Sequence, residues 1–320
     1  MKRIGVLTSG GDAAGMNPAL RAVVRTAIVN GLEVMGIERG YEGLLNGWLK
    51  PMSLSSVGGI INRGGTILRT ARSERFKTEE GLQQAARVLH ENGIEGLVVI
   101  GGDGSFRGAV KLEEVSGIAV VGVPATIDND IGGTEYTLGY DTALQVAMDA
   151  IDKIRDTADS FERIFVIEVM GRSRGFIAAA VGLAGGAEAI LVPEIPFDPV
   201  QICERLRQGM ARGKRSAIIV TAEGAAKAQE VATFVEMYLR EEVRATVLGY
   251  TQRGGSPTAT DRIYGARFGA LAVELLLQGQ SGMMTAVQGG QVVAVPLKAS
   301  WEQPRVLDES LLKLNEVLAS

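Results

Sequence analysis

Residues 94–105 read IEGLVVIGGDGS. An apolar run, Gly96 to Ile100, ends abruptly in Gly-Gly-Asp-Gly. A Val- and Ile-rich run with no polar alternation fits a strand buried on both faces of a parallel sheet. Residues 3–12, RIGVLTSGGD, repeat the arrangement, with a short apolar run leading into the same Gly-Gly-Asp. Working outward, strands are predicted at Arg3–Thr8, Glu33–Ile37, Gly96–Ile100, Ala119–Val123, Ile164–Val169, Ala189–Val192, Ser216–Thr221 and Arg244–Leu248. Helical patterns fall between them. Asn17 is expected to cap a helix with Pro18 at its first position. Leu20, Val23, Val24, Ala27 and Ile28 then form its apolar face, and Gly31 ends it. Leu82, Ala85, Ala86 and Leu89 repeat the period, as do Leu144, Ala147, Met148, Ile151 and Ile154. Strand–helix alternation predicts an α/β fold of βαβ units in open sheets.

The chain has 320 residues, enough for two domains. It is 46% hydrophobic and 22% charged, with a net charge of −4. That balance suits a soluble globular protein, the net charge argues against non-specific nucleic-acid binding, and no membrane partner is expected. Cys203 is the only cysteine, so no intrachain disulfide can form, and a reducing, cytoplasmic location is expected. His90 is the only histidine, which excludes a His-rich metal site or a His-based triad elsewhere. The apolar stretch after Met1-Lys2-Arg3 is too short for a signal peptide, and Asp12 interrupts it. The longest uncharged run, Leu275–Leu297, carries four glutamines, four glycines and Pro296, so it does not read as a membrane span.

Ligands of open parallel sheets bind beyond the carboxyl ends of the strands. Glycine there lets a phosphate approach the backbone N–H groups, and a following helix adds its positive end. Asp103 would repel a phosphate unless a magnesium ion lay between them, since that ion takes carboxylate and phosphate oxygens together. A single Gly-Gly-Asp is equally well a tight turn. A third strand end, VGVPATIDND (residues 121–130), alternates Asp128 and Asp130 in what reads as an extended segment. Asp128 could orient an acceptor hydroxyl and take its proton, and Thr126 could hold the acceptor oxygen or a phosphate. An Asx-type turn with solvated carboxylates is the competing reading. Arg163 and Arg172 flank one predicted strand, and Arg244 and Arg253 flank another. Four guanidinium groups so placed favour an anionic substrate.

These segments together resemble the bacterial ATP-dependent 6-phosphofructokinase family. The matching stretches are TSGGDAAGMN (8–17), NRGGT (62–66), GGDGS (101–105), TIDND (126–130), EVMGR (168–172), AGGAE (184–188) and QRGGSP (252–257), in family order. The similarity runs to about residue 280. It implies two Rossmann-like open-sheet α/β/α lobes. A larger ATP-binding lobe would comprise residues 1–139 plus 254–302, and a smaller sugar-phosphate lobe residues 140–253 plus 303–320. It implies transfer of the ATP γ-phosphoryl group to the 1-hydroxyl of fructose 6-phosphate. Gly11, Arg72, Ser73, Gly102, Asp103, Gly104 and Ser105 would bind ATP, and Asp103 would hold Mg2+. Asp128 would be the base, with Thr126 beside it, and Arg72 and Arg172 would stabilise charge during transfer. Thr126, Ile127, Asp128, Met170, Gly171, Arg172, Glu223, Tyr250, Thr251, Gln252 and Arg253 would hold the sugar phosphate. The counterparts of Arg163 and Arg244 reach in from a neighbouring subunit, so a homotetramer is expected. An effector site for ADP and phosphoenolpyruvate would draw on Arg21, Arg25, Arg155, Gly186, Glu188, Arg212, Lys214 and Ser216.

Three positions depart from the family pattern. Tyr250 stands where histidine is usual, replacing a chargeable imidazole by a phenol. Gly59 replaces an aspartate of the effector site. Ala125 replaces a glycine where pyrophosphate-dependent relatives carry lysine. Those relatives also carry aspartate at Gly104, where glycine leaves room for the ATP α-phosphate. Pyrophosphate-dependent transfer is therefore the alternative reading, beside a nucleotide-binding regulatory subunit, an NAD or lipid kinase, and a sugar-phosphate sensor. The tail Trp301–Ser320 suggests a short terminal helix through Leu307, Leu311, Leu312, Leu314 and Val317.

Overall fold

A computed structural model of the chain describes residues 1–319. The first half runs β1 (Arg3–Ser9), α1 (Met16–Val29), β2 (Glu33–Ile37), α2 (Gly40–Leu45), β3 (Leu49–Met52), α3 (Glu79–Glu91), β4 (Gly96–Gly101), α4 (Asp103–Ser116), β5 (Ala119–Pro124) and α5 (Tyr140–Phe161). The second runs β6 (Ile164–Val169), α6 (Phe176–Ala184), β7 (Ala189–Leu191), α7 (Pro199–Ala211), β8 (Ala217–Ala222), α8 (Ala228–Leu239), β9 (Val243–Val247), α9 (Ala259–Leu277), β10 (Met283–Gln288), β11 (Gln291–Pro296), α10 (Ala299–Glu302) and α11 (Glu309–Leu318). The chain divides into two compact units. Met1–Thr142 and Arg253–Arg305 form the first, and Ala143–Gln252 and Val306–Ser320 the second.

The first unit is built on a sheet of order β11-β10-β5-β4-β1-β2-β3. Its middle, β10-β5-β4-β1-β2, is parallel, while β11 and β3 join antiparallel at the two edges. β4 and β5 are buried along nearly their whole length, as the apolar runs require. Tyr41, Leu44, Leu82, Leu89, Phe106 and Leu112 from α2, α3 and α4 pack in one buried cluster with Leu7, Leu97 and Val99 of the sheet. α1 packs along α9. Gly265 and Gly269, one turn apart, permit the close approach: a Cβ at Gly269 would stand 2.4 Å from the Ala19 carbonyl oxygen. The second unit holds a parallel sheet of order β7-β8-β6-β9. Ile164, Val166, Leu191, Ile219, Ile202, Leu206, Val231 and Val235 form its core between strands, α7 and α8.

All eight predicted strands are present, with ends displaced by at most one residue. Three strands escaped sequence reading: β3, β10 and β11. The last two occupy most of the long uncharged run and turn through Gly289-Gly290, both at positive φ, as a two-residue hairpin turn demands. No helix among the described residues is long and apolar enough to cross a membrane.

Asn17 does not cap α1. The N-cap is Gly15 at φ 100°, with no side-chain cap bond. Asn17 is buried inside the first turn and ties down the loop 63–67. Its amide donates to the carbonyls of Arg63 (3.0 Å) and Gly64 (3.2 Å), and its oxygen accepts from Ile67 N–H at 2.9 Å. A long-range partner outcompeted the local cap that the Asn-Pro signal suggested.

Candidate active site

In the first unit, the carboxyl ends of β1, β4 and β5 lie side by side. Ser9 pairs with Gly101, and Gly101 with Pro124. The strands after β1 and β4 lie on opposite sides of that pair, so both Gly-Gly-Asp turns flank the point where ligands of open sheets bind. Gly10 adopts φ 90°, and its carbonyl accepts from the Thr70 hydroxyl at 2.8 Å. Gly101, Gly102 and Gly104 serve different ends. A Cβ on Gly101 would stand 2.5 Å from the Ser9 carbonyl oxygen, so glycine there lets two strand ends close up. Nothing lies within 4 Å of a Cβ at Gly102 or Gly104, so those two line open space. Asp103 is the first residue of α4, half-exposed at the positive end of the helix. Arg107, one turn on, stands 4.0 Å from it and lies over the Trp301 ring.

Ser105 is buried, and its carbonyl accepts from the Tyr41 hydroxyl at 2.6 Å. Complete burial pushes that phenol well above its ordinary pKa, so it stays a donor. Ser73 donates to Glu42 at 2.5 Å, anchoring the exposed Arg72 beside it. That bond, with the nearby Arg75, holds the Glu42 carboxyl below its ordinary pKa against a smaller opposing effect of burial. Arg253 lies against the β1 turn, its Nη1 3.7 Å from Asp12 and 3.1 Å from where a Cβ of Gly11 would be. Cationic charge therefore sits on the first Gly-Gly-Asp.

The segment after β5 is a turn, not the extended run read from sequence. Residues 127–128 form the turn, and Asn129 takes a left-handed φ of 51°. Thr126 is half-buried, Ile127 and Asp128 are buried, and Asp128 N–H donates to Thr126 Oγ1 at 3.2 Å. Asp103 and Asp128 are thus brought to adjacent strand ends.

In the second unit, the adjoining ends of β6 and β8 carry the matching segment. Met170 N–H donates to Gln252 Oε1 and Arg172 N–H to Glu223 Oε1, each at 2.8 Å. Gly171 stands at φ 137° and Arg172 at φ 53°, so the Met-Gly-Arg backbone turns sharply and leaves the Arg172 side chain exposed. Thr251 and the highly exposed Tyr250 sit on the short 3-10 turn Gly249–Arg253. Arg163 and Arg244 stand at the opposite end of the same sheet, both paired to Glu242, with Arg163 Nε at 2.7 Å. The structure does not bring them to Arg172 within this chain.

Of the effector candidates, Arg21 and Arg25 lie on α1 in the first unit and the rest in the second. Glu188, Arg212, Lys214 and Ser216 line one cavity of about 200 Å³, and Glu316 of α11 and Ala319 just after it contribute to its wall. Lys214 Nζ donates to the Ala319 carbonyl at 2.7 Å and stands 3.6 Å from Glu188. Arg155 binds the carbonyls of Gly185 and Gly186.

Sequence reasoning missed two buried carboxylates. Glu168, inside β6, accepts from Ala228 N–H at 2.8 Å and pairs with Lys227 at 3.3 Å, so it fixes the start of α8. A lone Glu in an apolar strand was the available signal. Asp261 is fully buried at the start of α9, and burial pushes its carboxyl up in spite of the hydrogen bonds it accepts. Its signal, Thr258-Ala-Thr-Asp261, reads as a local capping box.

The family profile for phosphofructokinase matches residues 3–276. The chain belongs to the phosphofructokinase family. It is 56% identical over the full length of both chains to ATP-dependent 6-phosphofructokinase 1 of Thermus thermophilus. The enzyme named ATP-dependent 6-phosphofructokinase from Thermotoga neapolitana is 53% identical over the same extent. Among solved structures, phosphofructokinase from Saccharomyces cerevisiae superposes with TM-score 0.87 at 35% identity. That match covers 99% of this chain but 46% of the yeast chain. Pyrophosphate-dependent phosphofructokinase from Marinobacter aquaeolei superposes with TM-score 0.89 at 26% identity, covering 99% of this chain and 88% of that one.

Proposed function

We propose that this chain is an ATP-dependent 6-phosphofructokinase, transferring the γ-phosphoryl group of ATP to the 1-hydroxyl of fructose 6-phosphate, a glycolytic step of the cytoplasm. One observation carries the reading: Asp103 and Asp128 stand at adjacent strand ends, next to glycines that face open space. Gly11, Arg72, Ser73 and Gly102–Ser105 take the nucleotide. Asp103 fits a magnesium ion. No group of three or more Asp, Glu, His or Cys side chains among the described residues is placed to hold a metal ion by itself, and one half-exposed carboxylate suits an ion held mainly by phosphate oxygens. When bound, magnesium neutralises phosphate charge.

Asp128 orients the acceptor hydroxyl and takes its proton, with Thr126 beside it. Arg72 and Arg172 stabilise the charge that builds on the transferring group. Thr126, Ile127, Met170, Gly171, Glu223, Tyr250, Thr251, Gln252 and Arg253 hold the sugar phosphate. Arg163 and Arg244, whose end of the sheet lies away from Arg172, serve a neighbouring copy in a homotetramer. The cavity at Glu188, Arg212, Lys214 and Ser216, with Arg155 and Gly186 of the same unit, is the candidate site for ADP or phosphoenolpyruvate as effectors, and Arg21 and Arg25 are the candidates for an effector site shared between subunits.

The open space at Gly104 favours ATP over pyrophosphate as donor. Coupled assays of the purified protein with ATP and with pyrophosphate, each with and without fructose 6-phosphate, test this reading. Turnover that requires ATP and the sugar phosphate together supports it; turnover with pyrophosphate alone, or none, refutes it.

A further inference from the structure

Asp261 is the third residue of α9, and its side chain is fully shielded from solvent. Burying a carboxylate costs several kcal/mol unless donors surround it. Four donors do, and all come from one distant segment. Tyr136 Oη (2.7 Å) and Gly139 N–H (2.6 Å) donate to Oδ1. Thr142 N–H (3.0 Å) and Thr142 Oγ1 (2.5 Å) donate to Oδ2. In a capping box the acidic side chain would return to the N–H of the cap residue. Here the N–H of Thr258, the cap, donates to Thr142 Oγ1 instead, at 3.1 Å, and the carboxylate is left to grip residues 136–142.

That segment in turn holds the turn after β5. The Thr137 hydroxyl donates to the Thr126 carbonyl at 2.7 Å and stands 3.2 Å from Asn129 Oδ1. Leu138 N–H donates to the Pro124 carbonyl at 3.0 Å. Thr126 and Asn129 bracket Asp128. Asn129 is in the left-handed region, which costs a non-glycine residue about 1 kcal/mol and persists only where its surroundings impose it. We infer that Asp261 is a positioning residue for phosphoryl transfer: through Tyr136–Thr142 and the Thr137 hydroxyl it fixes the turn that presents Asp128 to the acceptor.

The inference rests on Asp128 being the proton acceptor, so the test must separate the two. Asp261→Asn keeps the volume but turns one acceptor oxygen into a donor facing donors. Thr137→Val removes only the hydroxyl, and Thr137→Ser restores it. In steady-state kinetics, Asp261→Asn and Thr137→Val should lower kcat by about tenfold or more while KM for ATP stays within about twofold, and Thr137→Ser should recover wild-type kcat. Hydrogen exchange of peptides spanning residues 125–142 should quicken in both impaired variants. Folded Asp261→Asn and Thr137→Val proteins with wild-type kcat would overturn the inference. Should Asp261→Asn fail to fold, the Thr137→Val and Thr137→Ser pair decides alone. If the wild type itself does not turn over ATP and fructose 6-phosphate, the assigned activity falls, and the exchange comparison still decides whether Asp261 holds the turn.

Discussion

Gly101 and Gly104 stand three residues apart and have opposite reasons to be glycine. At Gly101 a methyl group would meet the Ser9 carbonyl at 2.5 Å. Gly101→Ala should destabilise the fold by about 1–3 kcal/mol, read from thermal unfolding, because backbone rather than a mobile side chain must yield. At Gly104 a side chain would enter open space. Gly104→Asp should leave Tm within a few degrees of wild type, yet raise KM for ATP about tenfold or more. A second negative charge near the phosphates costs about 1 to 4 kcal/mol, depending on how wet the site is, and about 1.4 kcal/mol is a factor of ten. Unchanged ATP affinity in this variant would move the nucleotide away from α4. The run GGDGS displayed both glycines, but sequence could not separate them, since the difference depends on which neighbour each one faces. Asn17 misled for the same reason: it read as a local helix cap, and it serves distant backbone, as does Asp261, which the sequence reading passed over.

At the scale of elements, legibility followed burial. Strands buried on both faces announced themselves as Val/Ile runs. The edge strand β3, LKPM, has one buried residue in four and no such run. β10 and β11 were hidden in an uncharged stretch whose glycines and glutamines looked like loop. The stretch around Arg72 and Ser73 lacks a sheet to hold it and depends on α2 instead, through Glu42. The Glu42 carboxyl sits below its ordinary value, chiefly through the Ser73 hydroxyl. A depressed folded pKa means stability that is present above the unfolded value, about 4.3, and lost as pH falls through the folded one. Wild type should therefore exceed Glu42→Gln in Tm at pH 7, and the gap should close as pH falls below about 4. Since both Glu42 and Arg75 are partly solvated, the gap at pH 7 should be small, on the order of 1 kcal/mol or less. A gap that is constant with pH would mean the ionised carboxylate does not matter to the loop.

For the whole molecule, the telling residues are those the chain keeps apart. β6 is six residues long, which at a rise of about 3.3 Å per residue separates Arg163 from Arg172 by roughly 20 Å. Arg244, beside Phe165 in the pairing of β6 with β9, shares the Arg163 end, and Glu242 takes both guanidinium groups. From sequence, four arginines flanking two strands favoured an anionic substrate, and only the family resemblance separated Arg163 and Arg244 from the other two. Strand direction divides them: side chains before and after a parallel strand point to opposite ends of the sheet. If Arg163 and Arg244 complete the site of a second copy, two inactive variants should rescue each other. Asp128→Asn lacks the proton acceptor and Arg244→Ala lacks the borrowed guanidinium, so each homo-oligomer should be nearly inactive. After the two are mixed in equal amounts, dissociated and reassembled, a site is intact only when its aspartate comes from one variant and its arginine from the other. Random assortment in a symmetric oligomer gives about one quarter of wild-type kcat. Recovery near that fraction, appearing only after reassembly, would assign both arginines to a neighbour. No recovery, with the hybrid oligomer verified by mass, would return them to their own chain, where both meet Glu242 and Arg163 also lies over the Phe161 ring.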